Sequence, residues 1–241
     1  MRILLLGGTG EARALAARLH PDTEIVSSLA GRVPDPALPV GPVRIGGFGG
    51  VDGLVQWLRD NGIGAVVDAT HPFAATMTAH AAQACDDLTL PYVVLARPAW
   101  DPDGAIVVSS DSEAADVVAG QGYSRVFLTT GRSGVAPFVD SAAWFLIRVV
   151  TAPDPEVLPA RHRVLLSRGP YAYDGECTLL RDNGIDVLVT KNSGGELTRA
   201  KLHAAHDLGV PVVMIERPPL PAGVWTIGTV DEAVDWVRRL S

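Results

Sequence analysis

The sequence predicts an α/β fold made of two doubly wound parallel-sheet domains. Short apolar runs, each long enough for a buried strand, alternate with helical segments along almost all of the 241 residues. This order is typical of parallel strands covered by helices. The alternation is interrupted by the turn sequence Asp101-Pro102-Asp103-Gly104 and then begins again. We therefore place a boundary near residues 97–104 and predict domains at residues 1–98 and 99–241.

The composition indicates a substantial core, because 47% of the residues are hydrophobic and only 20% are charged. A net charge of −7 disfavours nucleic-acid binding as the main role. No apolar run approaches the roughly 20 residues that span a membrane, and the N-terminus lacks a signal-peptide pattern. We therefore expect a cytoplasmic protein with no membrane partner. Cys85 and Cys177 lack metal-ligand spacing, so we expect two buried thiols and no metal site.

Each predicted strand is an apolar run that stops at glycine, proline or a polar residue. The predicted strands are residues 3–6, 24–28, 43–45, 65–70, 92–95, 106–108, 126–129, 144–150, 164–166, 186–189 and 212–215. Helices are predicted from helical spacing, with acidic starts at Asp52 and Asp111 and Asn-Gly ends at 61–62 and 183–184. The predicted helices are residues 11–19, 52–60, 74–84, the segment after Asp111, 174–182, 197–208 and 230–240.

The first thirteen residues, MRILLLGGTGEAR, have the layout of a dinucleotide-binding turn. A buried strand runs into Gly7-Gly8-Thr9-Gly10, and a helix follows, as in Rossmann-like domains. Glycines let a pyrophosphate approach the main chain, and the N-terminus of the helix receives the anion. Gly8 and Gly10 supply the first two glycines of Gly-x-Gly-x-x-Gly, but Arg13 stands in place of the third. The alternative is a tight turn with no ligand.

The end of the second strand favours NADP(H) over NAD(H). It lies about 20 residues after the glycines, where an NAD site carries Asp or Glu to read the ribose. This chain instead has Ser27-Ser28-Leu29-Ala30-Gly31-Arg32. Hydroxyl groups with a nearby guanidinium suit a 2′-phosphate, which arginine binds bidentately. The alternative is that Arg32 is a solvated loop residue.

The two domains differ in the groups at their strand ends, where open α/β sheets bind ligands. The first domain has glycine and hydroxyl groups, which suit a dinucleotide. The second repeatedly places Arg or Lys beside Gly, which suits an acidic small molecule. These strand ends are residues 7–10, 28–32 and 70–73 in the first domain, and 130–132, 167–169 and 191–195 in the second.

Several strand-end residues have two interpretations. His71 could hold cofactor or substrate, or cap the next helix. Lys191 could pair with a carboxylate or donate a proton, or be a solvated surface lysine. Tyr171 and Tyr173 could line the pocket or serve packing. Glu176 is expected on a solvated helix face or at a helix cap. The sequence shows no Ser-His-Asp order, metal cluster or Walker A motif.

Several unusual motifs in order make the sequence similar to the precorrin-6A reductase family of cobalamin biosynthesis. These motifs are GGTGEAR (7–13), SSLAGR (27–32), DATHPFA (68–74), LPYVVLARPAW (90–100), LTTGR (128–132), SRGPY (167–171) and TKNSGG (190–195). The resemblance covers nearly the whole chain. DATHPFA and TKNSGG are far more specific than a lone glycine turn.

The resemblance implies two Rossmann-like domains with the cofactor in a cleft between them. It also implies NADPH-dependent reduction of one double bond of precorrin-6A, between ring carbons eighteen and nineteen, to give precorrin-6B. The substrate is a tetrapyrrole polycarboxylate, which matches the basic strand ends of the second domain. The chemistry needs no protein metal. The sequence leaves open the proton donor and any hand-off of the product to the next enzyme.

The resulting site predictions form three groups. The residues assigned to cofactor binding are Gly7, Gly8, Thr9, Gly10, Glu11, Ala12, Ser28, Gly31, Arg32, Thr70, His71, Lys191, Asn192, Ser193 and Gly194. The residues assigned to substrate binding are Arg132, Arg168, Tyr171 and Tyr173. The candidate catalytic residues are Lys191 and His71.

Three alternative functions stay open at this point. One is an NADH-dependent cobalt-precorrin-6A reductase of the oxygen-independent route. Ser28 and Arg32 argue against it because they favour NADPH. Another is a non-catalytic NADP(H)-sensing protein, against which the basic strand ends argue. The third is a sugar-nucleotide reductase or epimerase, a class that usually carries a Tyr-x-x-x-Lys pair absent from this sequence.

Overall fold

The computed structural model describes residues 1–31 and 36–240, and its contacts divide the chain into two compact units. Unit 1 contains residues 1–98 and 218–240, and unit 2 contains residues 99–217. The predicted second domain, 99–241, is therefore wrong in its last part, because the chain returns to unit 1 after residue 217.

Each unit alternates strands and helices. In chain order the strands are β1 (Arg2–Leu6), β2 (Glu24–Leu29), β3 (Val43–Ile45), β4 (Ile63–Asp68), β5 (Tyr92–Leu95), β6 (Ile106–Val108), β7 (Arg125–Thr129), β8 (Trp144–Val149), β9 (His162–Leu166), β10 (Val187–Lys191), β11 (Val212–Ile215) and β12 (Thr226–Ile227). The helices are α1 (Gly10–Leu19), α2 (Val51–Asp60), α3 (Ala75–Asp87), α4 (Asp111–Gly120), α5 (Tyr173–Asp182), α6 (Ala200–Asp207) and α7 (Val230–Leu240). Short 3₁₀ turns lie at Arg132–Gly134, Ala136–Phe138 and Pro155–Val157.

Unit 1 has a six-stranded parallel sheet in the order β12-β5-β4-β1-β2-β3. The central strand β1 is apolar from Ile3 to Leu6 because both of its faces are buried there. Ile3 and Leu5 pack in the core that includes α1 and α7, whereas Leu4 and Leu6 pack in the core that includes α2 and α3. The sheet is therefore covered by helices on both faces, as a doubly wound fold requires.

The segment after residue 217 joins unit 1 through β12 and α7. Strand β12 pairs in parallel with β5, matching Thr226 with Val94 and Ile227 with Leu95. Helix α7 buries an apolar face that includes Val234 in the same core as α1. The amphipathic pattern predicts this helix but does not specify which sheet it covers. The two-residue strand β12 is too short to be recognised as an apolar run.

Unit 2 has a six-stranded parallel sheet in the order β6-β11-β10-β7-β8-β9. Phe127 of β7, Leu146 of β8 and Leu188 of β10 pack in a core with α5 and α6, and α4 packs against β11. The prediction of two α/β units with parallel sheets is confirmed. Cys85 and Cys177 are buried free thiols, as expected.

Candidate functional site

The glycine turn after β1 is held close to the end of β2. The Gly7 N–H donates a hydrogen bond to the Ser28 carbonyl at 2.9 Å. A Cβ at Gly7 would lie 3.3 Å from the Ala12 Cβ, so the helix packs closely on the turn. Gly8 has a φ of +113°, and a Cβ built there meets no atom within 4 Å. The turn thus exposes open backbone at the N-terminus of the ten-residue helix α1.

Thr9 fixes the direction in which α1 leaves this turn. Its side-chain oxygen accepts a hydrogen bond from the Ala12 N–H at 3.1 Å and so caps the helix. Its hydroxyl donates to the Ala69 carbonyl at 2.7 Å, just beyond β4. One buried threonine therefore ties the helix start to the neighbouring strand end.

The first turn of α1 also carries an ion pair. Arg97, which follows β5, donates to Glu11 Oε2 at 2.7 Å, and their side chains are 15% and 24% exposed. Glu11 is thereby paired with a cation at the positive end of the helix. The sequence assigned Glu11 to the site but not Arg97, because their residue separation of 86 hides the contact.

The segment after β4 is organised by a fully buried carboxylate, Asp68. Its Oδ1 accepts from the Thr70 N–H at 2.9 Å and the Thr70 hydroxyl at 2.6 Å. Its Oδ2 accepts from the hydroxyls of Thr78 at 2.7 Å and Tyr92 at 3.1 Å. Burial raises the pKa of Tyr92, and the Asp68 charge adds to the effect. Thr70 is therefore committed to positioning the strand end.

His71 is exposed and shapes the turn that follows. Its Nδ1 accepts a hydrogen bond from the Phe73 N–H at 3.3 Å, and the two rings lie 5.7 Å apart. Helix α3 has Ala74 at its N-cap and no side-chain cap. His71 thus stabilises the turn before the helix, and its contact with cofactor or substrate stays a prediction.

The ends of β2 and β3 bring together Ser28 and Arg44, which pair in the sheet register. Arg44 Nη1 donates to Ser28 Oγ at 2.9 Å. Burial lowers the pKa of the Arg44 guanidinium from its ordinary value. Gly31 has a φ of +72°, which favours glycine at this position. Arg32, the predicted 2′-phosphate ligand, lies outside the described residues.

In unit 2, Lys191 at the end of β10 forms an ion pair with Asp111 in the first turn of α4. Lys191 Nζ lies 3.1 Å from Asp111 Oδ2, and the side chains are 12% and 24% exposed. The interpretation of Lys191 as a solvated surface lysine is therefore wrong. Asp111 Oδ1 is buried with no hydrogen-bond partner among the described residues.

The turn after Lys191 is held by hydrogen bonds to Trp100 and Arg217. The Asn192 side chain accepts from the Trp100 N–H at 2.8 Å and donates to the Trp100 carbonyl at 2.9 Å. Arg217 donates to the carbonyls of Asn192 at 2.9 Å and Ser193 at 3.1 Å. Gly194 has a φ of +65°, and the Asn192 side chain is committed to structure. Cofactor contact by Asn192, Ser193 and Gly194 stays a prediction.

A buried ionic cluster underlies the strand ends of unit 2. Arg148 of β8 donates to both carboxylate oxygens of Glu176, at 2.5 and 2.9 Å, and the side chains are 5% and 4% exposed. The expectation that Glu176 lies on a solvated face is wrong. The Arg148 guanidinium also lies 3.7 Å from the centroid of the Tyr171 ring.

Lys201 of α6 completes this cluster. Its Nζ donates to the Thr198 carbonyl at 2.9 Å and lies 4.6 Å from the Trp100 ring. Burial, helped by the Arg148 charge, lowers the pKa of Lys201 to about 7, and Glu176 opposes this change. The cluster thus packs beneath both the Tyr171 loop and the 192–198 turn.

The predicted substrate ligands occupy different positions at the carboxyl edge of this sheet. Arg132 and Arg168 are exposed, after β7 and β9 respectively. The Tyr171 hydroxyl donates to the Ser167 carbonyl at 3.1 Å. The Tyr173 hydroxyl donates to Asp207 Oδ2 at 2.6 Å and so links α5 to α6. Substrate binding by all four residues stays a prediction.

The described part of the chain contains neither a candidate metal-binding cluster nor a helix that could span a membrane. No group of three or more His, Cys, Asp or Glu side chains is arranged to hold a metal ion there. Over the same residues, no helix combines the length and hydrophobicity needed to cross a membrane.

Comparison with known proteins identifies the family. The model of the family described as Precorrin-6x reductase CbiJ/CobK matches residues 2–238. The chain belongs to this precorrin-6x reductase family. A precorrin-6A reductase of Mycobacterium tuberculosis (strain CDC 1551 / Oshkosh) is 70% identical over 239 residues, covering 99% of this chain and 98% of that protein. One from Rhodococcus erythropolis is 53% identical over 249 residues, covering 100% and 98%.

A solved structure described as CobK precorrin-6A reductase has the same fold. It superimposes with a TM-score of 0.91 at 38% identity, covering 100% of this chain and 97% of that one. The resemblance inferred from the sequence motifs is therefore confirmed at the level of the family and of the fold.

Proposed function

We propose that this chain uses NADPH to reduce one ring double bond of precorrin-6A, giving precorrin-6B in cobalamin biosynthesis. The full-length match to relatives named precorrin-6A reductase, at 70% and 53% identity, carries this proposal. The two units support it through different groups. Unit 1 offers open backbone at a helix N-terminus, and unit 2 offers cations at its strand ends.

The turn after β1 fits a dinucleotide diphosphate. Open space at Gly8 and the close packing of Gly7 on Ala12 leave room for an anion against the main chain. We assign diphosphate binding to residues 7–12, with Thr9 positioning the helix and Arg97 pairing Glu11. When bound, the nicotinamide supplies a hydride to an electron-poor carbon of the substrate.

The preference for NADPH over NADH rests on the end of β2. Ser28 presents a hydroxyl where a carboxylate would read the ribose of NADH. A carboxylate there would repel a 2′-phosphate, whereas a hydroxyl donates a hydrogen bond to it. Gly31 and Arg32 lie three and four positions further along the sequence, and both stay candidates for the same phosphate site.

The substrate carboxylates are proposed to meet the cations of unit 2. Arg132 and Arg168 are exposed at strand ends and suit carboxylate recognition. Lys191 is held by Asp111 at 3.1 Å, and this contact fixes the position of its ammonium group. We propose that Lys191 either pairs with a substrate carboxylate or delivers the proton that completes the reduction.

The test is turnover of purified enzyme with NADPH deuterated at the transferable position. Incubation with precorrin-6A is expected to lower the absorbance of the reduced nicotinamide as NADPH is oxidised. The product is expected to carry one added deuterium and one added hydrogen from solvent. A reaction without the tetrapyrrole and one with NADH serve as controls. NADPH that stays unchanged in the presence of precorrin-6A would contradict the proposal.

A further inference from the structure

We infer that Arg44 is the residue that selects NADPH, by binding the 2′-phosphate of the adenosine ribose beside Ser28. This inference rests on the proposed function and names the specificity-determining residue of its cofactor site. It differs from the prediction from the sequence, which gives that role to Arg32.

The first support is the position of Arg44. The strands β2 and β3 are parallel, and Ser28 is in register with Arg44. Both residues therefore lie at the same carboxyl edge, next to the turn formed by Gly7, whose N–H donates to the Ser28 carbonyl. In this strand order the adenosine ribose is read at the end of β2. Arg44 thus lies at the ribose position without any movement of the chain.

The second support is the number of donors that Arg44 retains. A guanidinium has five N–H groups. Nη1 donates to Ser28 Oγ and to the Gly46 carbonyl, each at 2.9 Å, and Nη2 donates to the Gly47 carbonyl at 3.0 Å. The Nε N–H and the second Nη2 N–H have no acceptor among the described residues. They form one edge of the guanidinium, which suits two parallel hydrogen bonds to a phosphate.

The third support is that the guanidinium is fixed before any ligand arrives. It lies 3.8 Å from the centroid of the Phe48 ring, which packs edge-on against Trp57 at 5.5 Å. The Gly46 N–H donates to the Leu29 carbonyl at 2.9 Å, so the loop that surrounds Arg44 is tied to β2. Little side-chain freedom is left to lose on binding, which raises affinity.

The fourth support is the unbalanced charge. Within the described parts of the chain, no carboxylate oxygen lies within the 4.0 Å salt-bridge distance of the Arg44 nitrogens. The Arg44 side chain is half-buried and held by neutral oxygens. An anionic ligand that accepts hydrogen bonds through two or more oxygens would supply the negative charge that balances the Arg44 guanidinium. Arg44 also leaves the Ser28 hydroxyl hydrogen available to donate to the same phosphate.

The experiment compares two probes by calorimetry, adenosine 2′,5′-bisphosphate and adenosine 5′-monophosphate. The wild-type chain, Arg44→Met, Arg44→Lys and Arg59→Met are titrated with both at matched ionic strength. Arg59 is an exposed arginine on α2 of the same unit and is the matched control. The ratio of the two affinities isolates the 2′-phosphate, and monophosphate binding reports that the adenosine site is folded.

We expect the wild-type chain and Arg59→Met to prefer the bisphosphate by at least tenfold. Arg44→Met should lose about ten- to hundredfold of bisphosphate affinity, the range for a charged hydrogen-bonding partner. Its monophosphate affinity should stay within about twofold. Arg44→Lys should keep part of the preference, since it keeps the charge and loses the paired donors. If Arg44→Met does not fold, the ratio in Arg44→Lys decides.

The remaining outcomes separate the two proposals. A wild-type preference that both Arg44 variants retain in full would overturn the assignment of Arg44 and leave the NADPH preference standing. Loss of that preference in Arg32→Ala, with Arg44→Met unaffected, would give the role to Arg32. No wild-type preference would contradict NADPH itself, and the Arg44 assignment would fail with it.

Discussion

The two units match in the order of five of their six strands but differ in the segment that leaves their central strands. β1 in unit 1 and β7 in unit 2 each lie between the strand that comes next in the chain and a later one. After β1, a glycine turn leads into the ten-residue helix α1. After β7, residues 130–143 form 3₁₀ turns and no α-helix. Only unit 1 therefore offers a helix N-terminus to an anion at this position.

The buried charges differ in the same way. In unit 1 the buried Asp68 is surrounded by neutral donors from Thr70, Thr78 and Tyr92. In unit 2 Arg148 and Glu176 form a buried ion pair. The buried charge of Asp68 in unit 1 is thus held by N–H and hydroxyl donors, whereas the buried charges of Arg148 and Glu176 in unit 2 are held by each other as an ion pair. This contrast is consistent with the dinucleotide site proposed for unit 1 and the polycarboxylate site proposed for unit 2.

The largest expected effect comes from breaking the ion pair of unit 2. Glu176→Gln leaves the Arg148 guanidinium buried without a carboxylate, which costs about 3–5 kcal/mol of unfolding free energy. Denaturant unfolding followed by tryptophan fluorescence measures this loss. Asp182→Asn, on the exposed side of the same helix, should change the free energy by less than about 0.5 kcal/mol. Equal small effects would show that the pair contributes little.

The next effect is a pH dependence that unit 2 should show through Lys201. Its pKa is about 7 when folded and 10.5 ordinarily, so the unfolded state binds more protons between these values. The unfolding free energy should therefore rise with pH across this window. Below the window Lys201 is protonated in both states and adds no pH dependence. Lys201→Met should flatten the rise relative to the wild-type chain. Parallel curves for the two proteins would contradict the buried, uncharged form of Lys201.

A smaller effect compares the threonines that lie just beyond the two central strands. Thr9→Val removes the cap of α1 and the bond to Ala69, so about 1–2 kcal/mol of unfolding free energy should be lost. NADPH binding should weaken by about tenfold because the helix start moves. Thr130→Val removes one bond to the Gly134 carbonyl and should leave NADPH binding unchanged. Calorimetry measures NADPH affinity in both variants. An equal loss of affinity in Thr9→Val and Thr130→Val would contradict the proposed difference between the two units.

The smallest expected effect concerns the ion pair of Lys191. Asp111→Asn removes the partner of the ammonium group, so kcat should fall about five- to tenfold through loss of positioning. The Kd of NADPH should stay within twofold. Steady-state kinetics with precorrin-6A and calorimetry with NADPH measure the two quantities. A change in Kd without a change in kcat would place Lys191 at the cofactor instead.

Local patterns predicted the elements well, since each depends on neighbouring residues. The run Ile3 to Leu6 is buried on both faces and predicted β1. The buried pair could also have been found. Glu176 shares a helical face with the buried Leu180, and Arg148 interrupts an apolar strand, so each needed a partner of opposite charge.

Contacts between distant residues could not be predicted in this way. Asn192 bonds the main chain of Trp100, and Arg44 meets Ser28 only because β2 and β3 align in that register. Helix α6 begins at Ala200 rather than 197, because residues 197–199 form a turn in which the Arg199 N–H donates to the Glu196 carbonyl at 3.2 Å. Such contacts depend on register and turn geometry, which hydrophobic periodicity does not encode.

The central claim is that unit 1 binds NADPH through its glycine turn and reads the 2′-phosphate. Calorimetric titration of the whole chain with NADPH and NADH, at matched ionic strength, tests it most directly. The account predicts that NADPH binds at least tenfold more tightly. Equal affinities would contradict the 2′-phosphate site, and the absence of binding by either dinucleotide would contradict the function assigned to the glycine turn.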